Sequence, residues 1–167
     1  LMATQNEARF HSSVRMAKAT FIELLQLLKL EGGLEDSRGV CAGEKVMIFM
    51  HVLIGQTNRL CKERWQHSGD TIHRCLHESI EAMMTCRARF WVTPDLTVPE
   101  KIRDNPKFFP FFQDCIGALD GSHVPAIVNP YYHGVFRNRK HFISQNELGV
   151  CDFELNFIYT LCGWEGS

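Results

Sequence analysis

The sequence predicts an α+β protein, with a helical N-terminal part and strands confined to the C-terminal part. Three observations predict this. Up to about residue 92, apolar residues recur with the 3.6-residue period of helices. Four prolines then fall within seventeen residues, between Pro94 and Pro110. Beyond Asp114, short apolar runs bounded by turn residues are typical of strands. We therefore expect a helical domain over 1–92, a connector over 93–114 and a strand domain over 115–167.

Composition narrows the class of protein. The chain has 167 residues, of which 45% are hydrophobic and 22% charged, so it is neither disordered nor of low complexity. The net charge of −1 excludes a uniformly basic nucleic-acid binder but leaves room for a local basic patch. No run of 18 apolar residues is present, so we expect no membrane partner.

Cysteine usage indicates a reducing compartment. The seven cysteines are odd in number, form no C-x-x-C pair and mostly lie in apolar stretches. Buried free thiols are the simplest interpretation, and the paired spacing of a structural zinc site is missing. The first residues show no charged segment followed by an apolar one, so they do not resemble a signal peptide. We expect an intracellular protein.

The first predicted helix begins at a capping-box pattern formed by Thr20 and Glu23. Its apolar positions recur at i, i+3, i+4 and i+7, which places them on one face. Gly32-Gly33 ends it. These apolar positions are Phe21, Leu24, Leu25 and Leu28.

Three further helices are predicted before residue 92. The segment Glu44–Ile54 is apolar on almost every side, which predicts the central buried helix. Asn58 is a candidate cap for a short helix through Trp65. Ser68 or Asp70 is a candidate cap for a longer helix with a 3.6-residue apolar period.

The connector and the strands follow. Pro99–Asp104 predicts a helical turn, and four phenylalanines near Pro110 are expected to pack the two halves together. The three predicted strands are Cys115–Leu119, Ile143–Phe153 and Leu155–Cys162. The phenylalanines are Phe108, Phe109, Phe111 and Phe112.

Asp120 is the first candidate functional residue, because the first predicted strand ends there. A carboxylate held rigidly by a buried strand is suited to bind a hard cation such as Mg²⁺. The alternative is that Asp120-Gly121 is simply a turn. In an antiparallel meander the first and third strands run the same way. Glu165 is then expected near Asp120, whereas Asp152 is expected at the opposite end as a turn residue.

Two more segments are candidates for DNA binding. Arg137, Arg139 and Lys140 form a loop with three positive charges in four residues, which is suited to bind phosphates but is also typical of a solvated loop. Upstream, Tyr131 and Tyr132 are candidates either to stack on bases or to pack.

The segment 58–84 has the length pattern of a helix-turn-helix, although two-helix turns are common in all-α domains. In that interpretation Thr71, His73 and Arg74 lie near the start of the second helix. His73 and His77 also have the i, i+4 spacing of helical metal sites, but no Glu follows His73 and surface histidines are the simpler interpretation.

Several of these motifs, taken in order and spacing over about residues 108–167, resemble the PIF/Harbinger family of transposases and transposase-derived nucleases. The upstream helical segment is similar, more loosely, to the helical domain that precedes the nuclease in that family, through Arg64-Trp65-Gln66-His67-Ser68 and Thr71-Ile72. The motifs are CIGALDGSH from Cys115, FRNRK from Phe136, SQN from Ser144, GVCDF from Gly149 and GWEGS from Gly163.

The resemblance implies a ribonuclease-H-like nuclease domain that opens with three antiparallel strands. It also implies a nuclear protein whose partner is DNA and whose cofactor is Mg²⁺ or Mn²⁺, used to cleave DNA phosphodiesters. Asp120 matches the first acid of the family's D-D-E metal-binding set, so the resemblance makes it a catalytic and metal-binding residue. Glu165 is a weaker metal candidate.

The family's remaining acids follow the G-W-E-G-S motif, whereas this sequence stops at Ser167. One carboxylate does not hold two metal ions. We therefore expect a fragment, a truncated gene model or a decayed copy that is inactive alone. The alternative is a non-catalytic DNA-binding or interaction module. Protein partners and oligomeric state are left open.

Overall fold

A computed structural model describes residues 6–91 and 93–166, and it has the α+β class expected from the sequence. The chain divides into two compact units, Leu1–Phe90 and Trp91–Ser167, which we call the helical unit and the sheet unit. The α-helices are α1 (Glu7–Val14), α2 (Lys18–Leu30), α3 (Ala42–Leu53), α4 (Asn58–Trp65), α5 (Gly69–Thr85) and α6 (Glu100–Arg103). The strands are β1 (Ala118–Pro125), β2 (Ser144–Cys151) and β3 (Phe157–Glu165).

Helix α1 was not expected from the sequence. Asn6 caps it by accepting a hydrogen bond from the backbone N–H of Arg9 at 3.0 Å. Its eight residues are mostly polar, and only Phe10 and Val14 are buried. Two apolar residues one turn apart are too weak a periodic signal to predict a helix.

Helix α2 begins earlier than the capping-box pattern suggested. Its N-terminal flanking residue is Ala17, which makes no side-chain cap, and Thr20 lies inside the first turn. The expected cap is therefore wrong. The predicted apolar face is confirmed, because Phe21 and Leu28 are fully buried and Leu24 and Leu25 pack against the same core.

Helix α3 is the central helix of the helical unit, as predicted. It packs against α1, α2, α4 and α5, and most of its residues are buried. The cap expected at Asn58 is provided instead by the preceding residue, Thr57, whose hydroxyl accepts from the N–H of Leu60. Ser68 caps α5 as predicted, accepting from the N–H of Thr71 at 3.2 Å.

The strands form an antiparallel meander in the order β1-β2-β3, which confirms the predicted topology. The first strand differs from the prediction, however. It begins at Ala118 and continues through Asp120 and Gly121 to Pro125. Pairing with β2 explains this, because the Asp-Gly pair lies opposite Gly149 and Leu148 in the ladder. Long-range pairing thus overrides a local turn signal.

The connector contains one short helix, α6. Pro99 precedes α6, in agreement with the helical turn expected there. The four phenylalanines that follow are 42–82% exposed, and the expectation that they pack the two halves together stays a prediction. Phe108 and Phe112 contact each other edge to face at 6.0 Å. Among the described residues no helix has the length and apolar character needed to cross a membrane.

All seven cysteines are free thiols. Cys61, Cys75 and Cys86 are buried in the helical unit. Burial raises the pKa of Cys61 and Cys75, so these thiols stay protonated at neutral pH. They act as small apolar core residues.

Candidate functional site

Asp120 is the third residue of β1, a strand at the edge of the sheet. Its side chain is exposed, and its Oδ1 accepts a hydrogen bond from the N–H of Gly121 at 2.8 Å. Side chains alternate along a strand, so Asp120 shares a face of the sheet with Ser122 and with Glu147, the residue opposite Ser122. The structure therefore presents the predicted acid to solvent.

The expected proximity of Glu165 to Asp120 is wrong. Asp120 pairs with Gly149, whereas Glu165 pairs with Gln145 near the other end of β2. Four residues along a strand correspond to about 13 Å, and β2 also separates the two acids laterally. The prediction failed because it took Asp120 as the end of β1.

Asp152 lies at the end of the sheet nearer to Asp120, which reverses the expected arrangement. It is nevertheless a turn residue, as predicted. Its carboxylate accepts from the N–H of Glu154 at 2.9 Å and from the backbone and side-chain amide of Asn156 at 2.8 and 2.9 Å. The Asn156 side chain contributes most to lowering the pKa of Asp152 below its usual range. All these donors commit the carboxylate to the β2–β3 turn.

The residues around Asp120 do not fit a pair of catalytic metal ions. A two-metal site needs several carboxylates placed about one shared position. In the part of the chain that the structure describes, no group of three Asp, Glu, His or Cys side chains is placed to hold a metal. Glu147 is the acid that sequence reasoning missed. Only the strand register shows that it lies diagonally from Asp120 on the same face.

The loop of basic residues leads into β2. Arg137, Arg139 and Lys140 are all exposed. The Arg137 guanidinium donates to the carbonyl of His141 at 3.0 Å. The loop joins the sheet where Ser144 pairs with Pro125, five residues beyond Asp120 on β1. That separation is roughly 17 Å, so the three cations and Asp120 do not share one site.

Asn138 fixes the shape of this loop from inside. It is only 4% exposed. Its Oδ1 accepts from the N–H groups of Lys140 and Phe142, at 2.9 and 3.3 Å. Its Nδ2 donates to the hydroxyl of Ser144 at 3.1 Å, and that hydroxyl lies 3.3 Å from Nδ1 of His123 on β1. A satisfied buried network of this kind holds the charged side chains on a defined backbone.

The two tyrosines upstream of the loop are on the surface. Tyr131 is 87% exposed and Tyr132 is 52% exposed, and their rings contact each other edge to face at 5.1 Å. A short 3-10 turn, Pro130–Tyr132, presents them. Their exposure is compatible with stacking on bases and leaves little packing role for Tyr131.

Helices α4 and α5 are consecutive helices joined by a short turn. Three residues, 66–68, separate them, and both pack against α3. Gln66 adopts a left-handed conformation with φ 55°, which ends α4 and turns the chain. The lengths and the short turn match those of DNA-reading pairs.

The predicted contact residues near the start of α5 differ in availability. Thr71 is half-buried, and its hydroxyl lies 3.0 Å from that of Ser68 within the cap. His73 and Arg74 are exposed, and Arg74 lies 3.9 Å from Glu78 one turn later. Thr71 therefore has a structural role, whereas His73 and Arg74 are open to a partner.

Charges over α4 and α5 balance. The pair carries four basic and four acidic side chains, so any basic surface is local. Glu78 is further engaged by Lys45, whose ammonium lies 2.6 Å from it and donates to the carbonyl of Glu35 at 2.7 Å. Lys45 is only 3% exposed and Glu78 is 34% exposed, so this ion pair is a half-buried link between α3 and α5.

His51 links α3 to α4. The indole N–H of Trp65 donates to Nδ1 of His51 at 3.0 Å, and His51 is 2% exposed. Burial is the main cause that lowers the pKa of His51 below 6.5, and the charge of Arg64 lowers it further. A hydrogen bond with the backbone of Ser13 acts in the opposite direction. The neutral imidazole thus positions α4 beside the core.

Comparisons with known proteins give one match. A search of curated proteins found none, and a search of solved structures found none. Residues 2–85 match the model of the family described as Domain of unknown function (DUF8040). The match ends at Thr85, the last residue of α5, so the family domain corresponds to the helices up to α5. Since it spans half of the 167 residues, the chain belongs to the DUF8040 family.

Proposed function

We propose that this chain belongs to a nuclear protein related to PIF/Harbinger transposases. In this proposal, the residues that the structure describes bind DNA without cleaving it. The observation that carries the proposal is the α4–α5 pair, in which a three-residue turn leads to a helix with exposed His73 and Arg74. In helix-turn-helix proteins the start of the second helix enters the major groove.

The basic loop supplies a second contact of a different kind. Arg137, Arg139 and Lys140 bind phosphates irrespective of base sequence, and the network of Asn138 keeps their backbone ordered before DNA arrives. A preordered loop binds without the entropic cost of folding on the DNA. In this proposal the loop increases the affinity for DNA, and α5 orients the chain on the DNA.

The ribonuclease-H-like assignment belongs to the same proposal. Its support is the β1-β2-β3 meander, with exposed Asp120 on the first strand. Mg²⁺ or Mn²⁺ is the cofactor that the resemblance implies, and the oxygens of Asp120 are of the type these ions prefer. Since the described residues provide no set of carboxylates around Asp120, we derive no cleavage step.

Salt-dependent binding tests the proposal. The chain is titrated with a DNA duplex at several salt concentrations. The logarithm of the binding constant is expected to fall linearly with the logarithm of the salt concentration. Arg74→Gln, Arg137→Gln and Arg139→Gln should each weaken binding and reduce the slope by about 0.9 for each phosphate that is no longer neutralised. Arg38→Gln is the matched control, because it removes the same charge from an exposed turn. An affinity that does not change with salt concentration would overturn the proposal. So would an equal loss of affinity in the control variant, Arg38→Gln.

A nicking assay separates binding from cleavage. We expect no cleavage of supercoiled DNA by this chain with Mg²⁺ or Mn²⁺, and unchanged DNA affinity in Asp120→Ala. Metal-dependent nicking that disappears in Asp120→Ala would show that the chain is itself a nuclease and that the binding-only proposal is wrong.

A further inference from the structure

The exposed surface of α5 carries two histidines one helical turn apart. The rings of His73 and His77 have centroids 4.0 Å apart and are inclined by 44°. Both side chains are exposed, and residues at i and i+4 lie on the same helix face. Two imidazoles are thus already side by side on a rigid element.

The tautomer of His77 is fixed by its hydrogen bond. Nδ1 of His77 lies 2.9 Å from the backbone carbonyl oxygen of His73. A carbonyl oxygen has no proton to donate, so Nδ1 carries the hydrogen and Nε2 has the free lone pair. Histidines that bind metals characteristically donate their other ring N–H to a carbonyl or carboxylate in this way. His77 is therefore preset as an Nε2 ligand.

We propose that His73 and His77 form an exchangeable site for a borderline divalent cation such as Zn²⁺ or Ni²⁺. The ligands are Nε2 of His77 and a ring nitrogen of His73, and water completes the coordination sphere. Nitrogens bound at 2.0–2.1 Å to a tetrahedral ion lie about 3.4 Å apart, which is comparable with the 4.0 Å between the two ring centroids. Imidazole is the ligand type that these ions share.

The charges around the pair favour a cation. Asp70 and Glu81 lie at i−3 from His73 and i+4 from His77, on the same stripe of α5. The neighbouring cation, Arg74, is paired with Glu78. The metal site shares His73 with the proposed DNA-binding surface, but the test below uses the chain without DNA.

Nuclear magnetic resonance of the full chain with Ni²⁺ provides the test. Paramagnetic broadening should reach the imidazole signals of His73 and His77 at substoichiometric Ni²⁺, before that of exposed His11 on α1. In calorimetric titration, His73→Ala and His77→Ala should each weaken Ni²⁺ binding at least about tenfold. Each variant keeps only one of the two imidazoles, so the gain from a second ligand held close to the ion is lost. His11→Ala should leave the affinity unchanged.

Two results would overturn the proposal. One is broadening of His73 and His77 only at the Ni²⁺ concentration that also broadens His11. The other is a Ni²⁺ affinity that survives both alanine variants, which would assign binding to exposed thiols such as Cys41 and Cys162. Alanine is the best helix former and both positions are exposed, so the variants retain α5, and circular dichroism verifies this.

Discussion

The helical unit and the sheet unit differ most in where they keep their apolar side chains. Of the eighteen hydrophobic residues that are buried in the described parts of the chain, sixteen lie in the helical unit. Only Ile102 and Ile158 lie in the sheet unit. One face of the sheet instead exposes Leu119, Tyr159 and Trp164. The helical unit thus has a core of its own, and the sheet unit depends mainly on backbone pairing and local hydrogen bonds.

Alanine substitutions should reveal this difference most strongly. Phe21 is fully buried and meets Phe10 edge to face at 5.3 Å, so Phe21→Ala should lower the free energy of unfolding of the helical unit by about 4 kcal/mol. Trp164 is 63% exposed, and Trp164→Ala should change stability by less than about 0.5 kcal/mol. Hydrogen exchange of α3 and β2 amides measures both. Equal losses of stability in the two variants would contradict the proposed difference between the helical unit and the sheet unit.

The ion pair between buried Lys45 and half-buried Glu78 tests whether the helical core is sensitive to charge. Glu78→Gln leaves the ammonium of Lys45 buried without a counter-charge, and we expect a loss of about 3 kcal/mol. Adding Lys45→Met to Glu78→Gln should recover most of that loss, because it removes the uncompensated charge. Denaturant unfolding followed by circular dichroism measures both variants. Arg74→Gln, which breaks only the exposed pair with Glu78, serves as the control.

In the sheet unit, contacts between backbone atoms should contribute more to stability than side-chain burial. A Cβ on Gly166 would clash with the carbonyl oxygens of Ser144 and Phe136, whereas one on Gly134 would meet nothing within 4 Å. Gly166→Ala should therefore destabilise the start of β2 by about 2 kcal/mol, and Gly134→Ala should have little effect. Faster exchange of the Ser144 amide, which donates to Phe136 at 2.9 Å, is the expected signal. Equal exchange in the two variants would show that this corner is loosely packed.

The smallest effect concerns pH. The pKa of His51 is lowered in the folded chain, so below pH 6.5 the unfolded state binds more protons than the folded state. His51 therefore contributes its full stability above about pH 6.5, and stability falls as the pH drops towards the folded pKa, by at most about 1.4 kcal/mol for each pH unit. Unfolding of the helical unit at pH 7.5 and 5.5 measures this. In His51→Gln the slope should be smaller, whereas the exposed variant His11→Ala should retain it.

The sequence predicted features that depend on neighbours along the chain. The apolar character of α2 and α3 and the Ser68 cap follow from local periodicity and turn residues, whereas the three antiparallel strands were implied by the family resemblance. The missed features depend on distant partners. α1 is stabilised by two buried residues, and β1 continues past Asp120 because β2 pairs with it. The same dependence explains why Glu165 was misplaced and Glu147 overlooked.

The anchoring of Asn138 has a consequence for proteolysis. Arg137, Arg139 and Lys140 offer three sites for trypsin on an exposed loop, the kind of place where nicking concentrates. A protease, however, cleaves a segment only after drawing it out into an extended form, and Asn138 holds this backbone through bonds to Lys140, Phe142 and Ser144. We therefore expect trypsin to cleave this loop slowly in the folded chain, although its cations are displayed to a ligand.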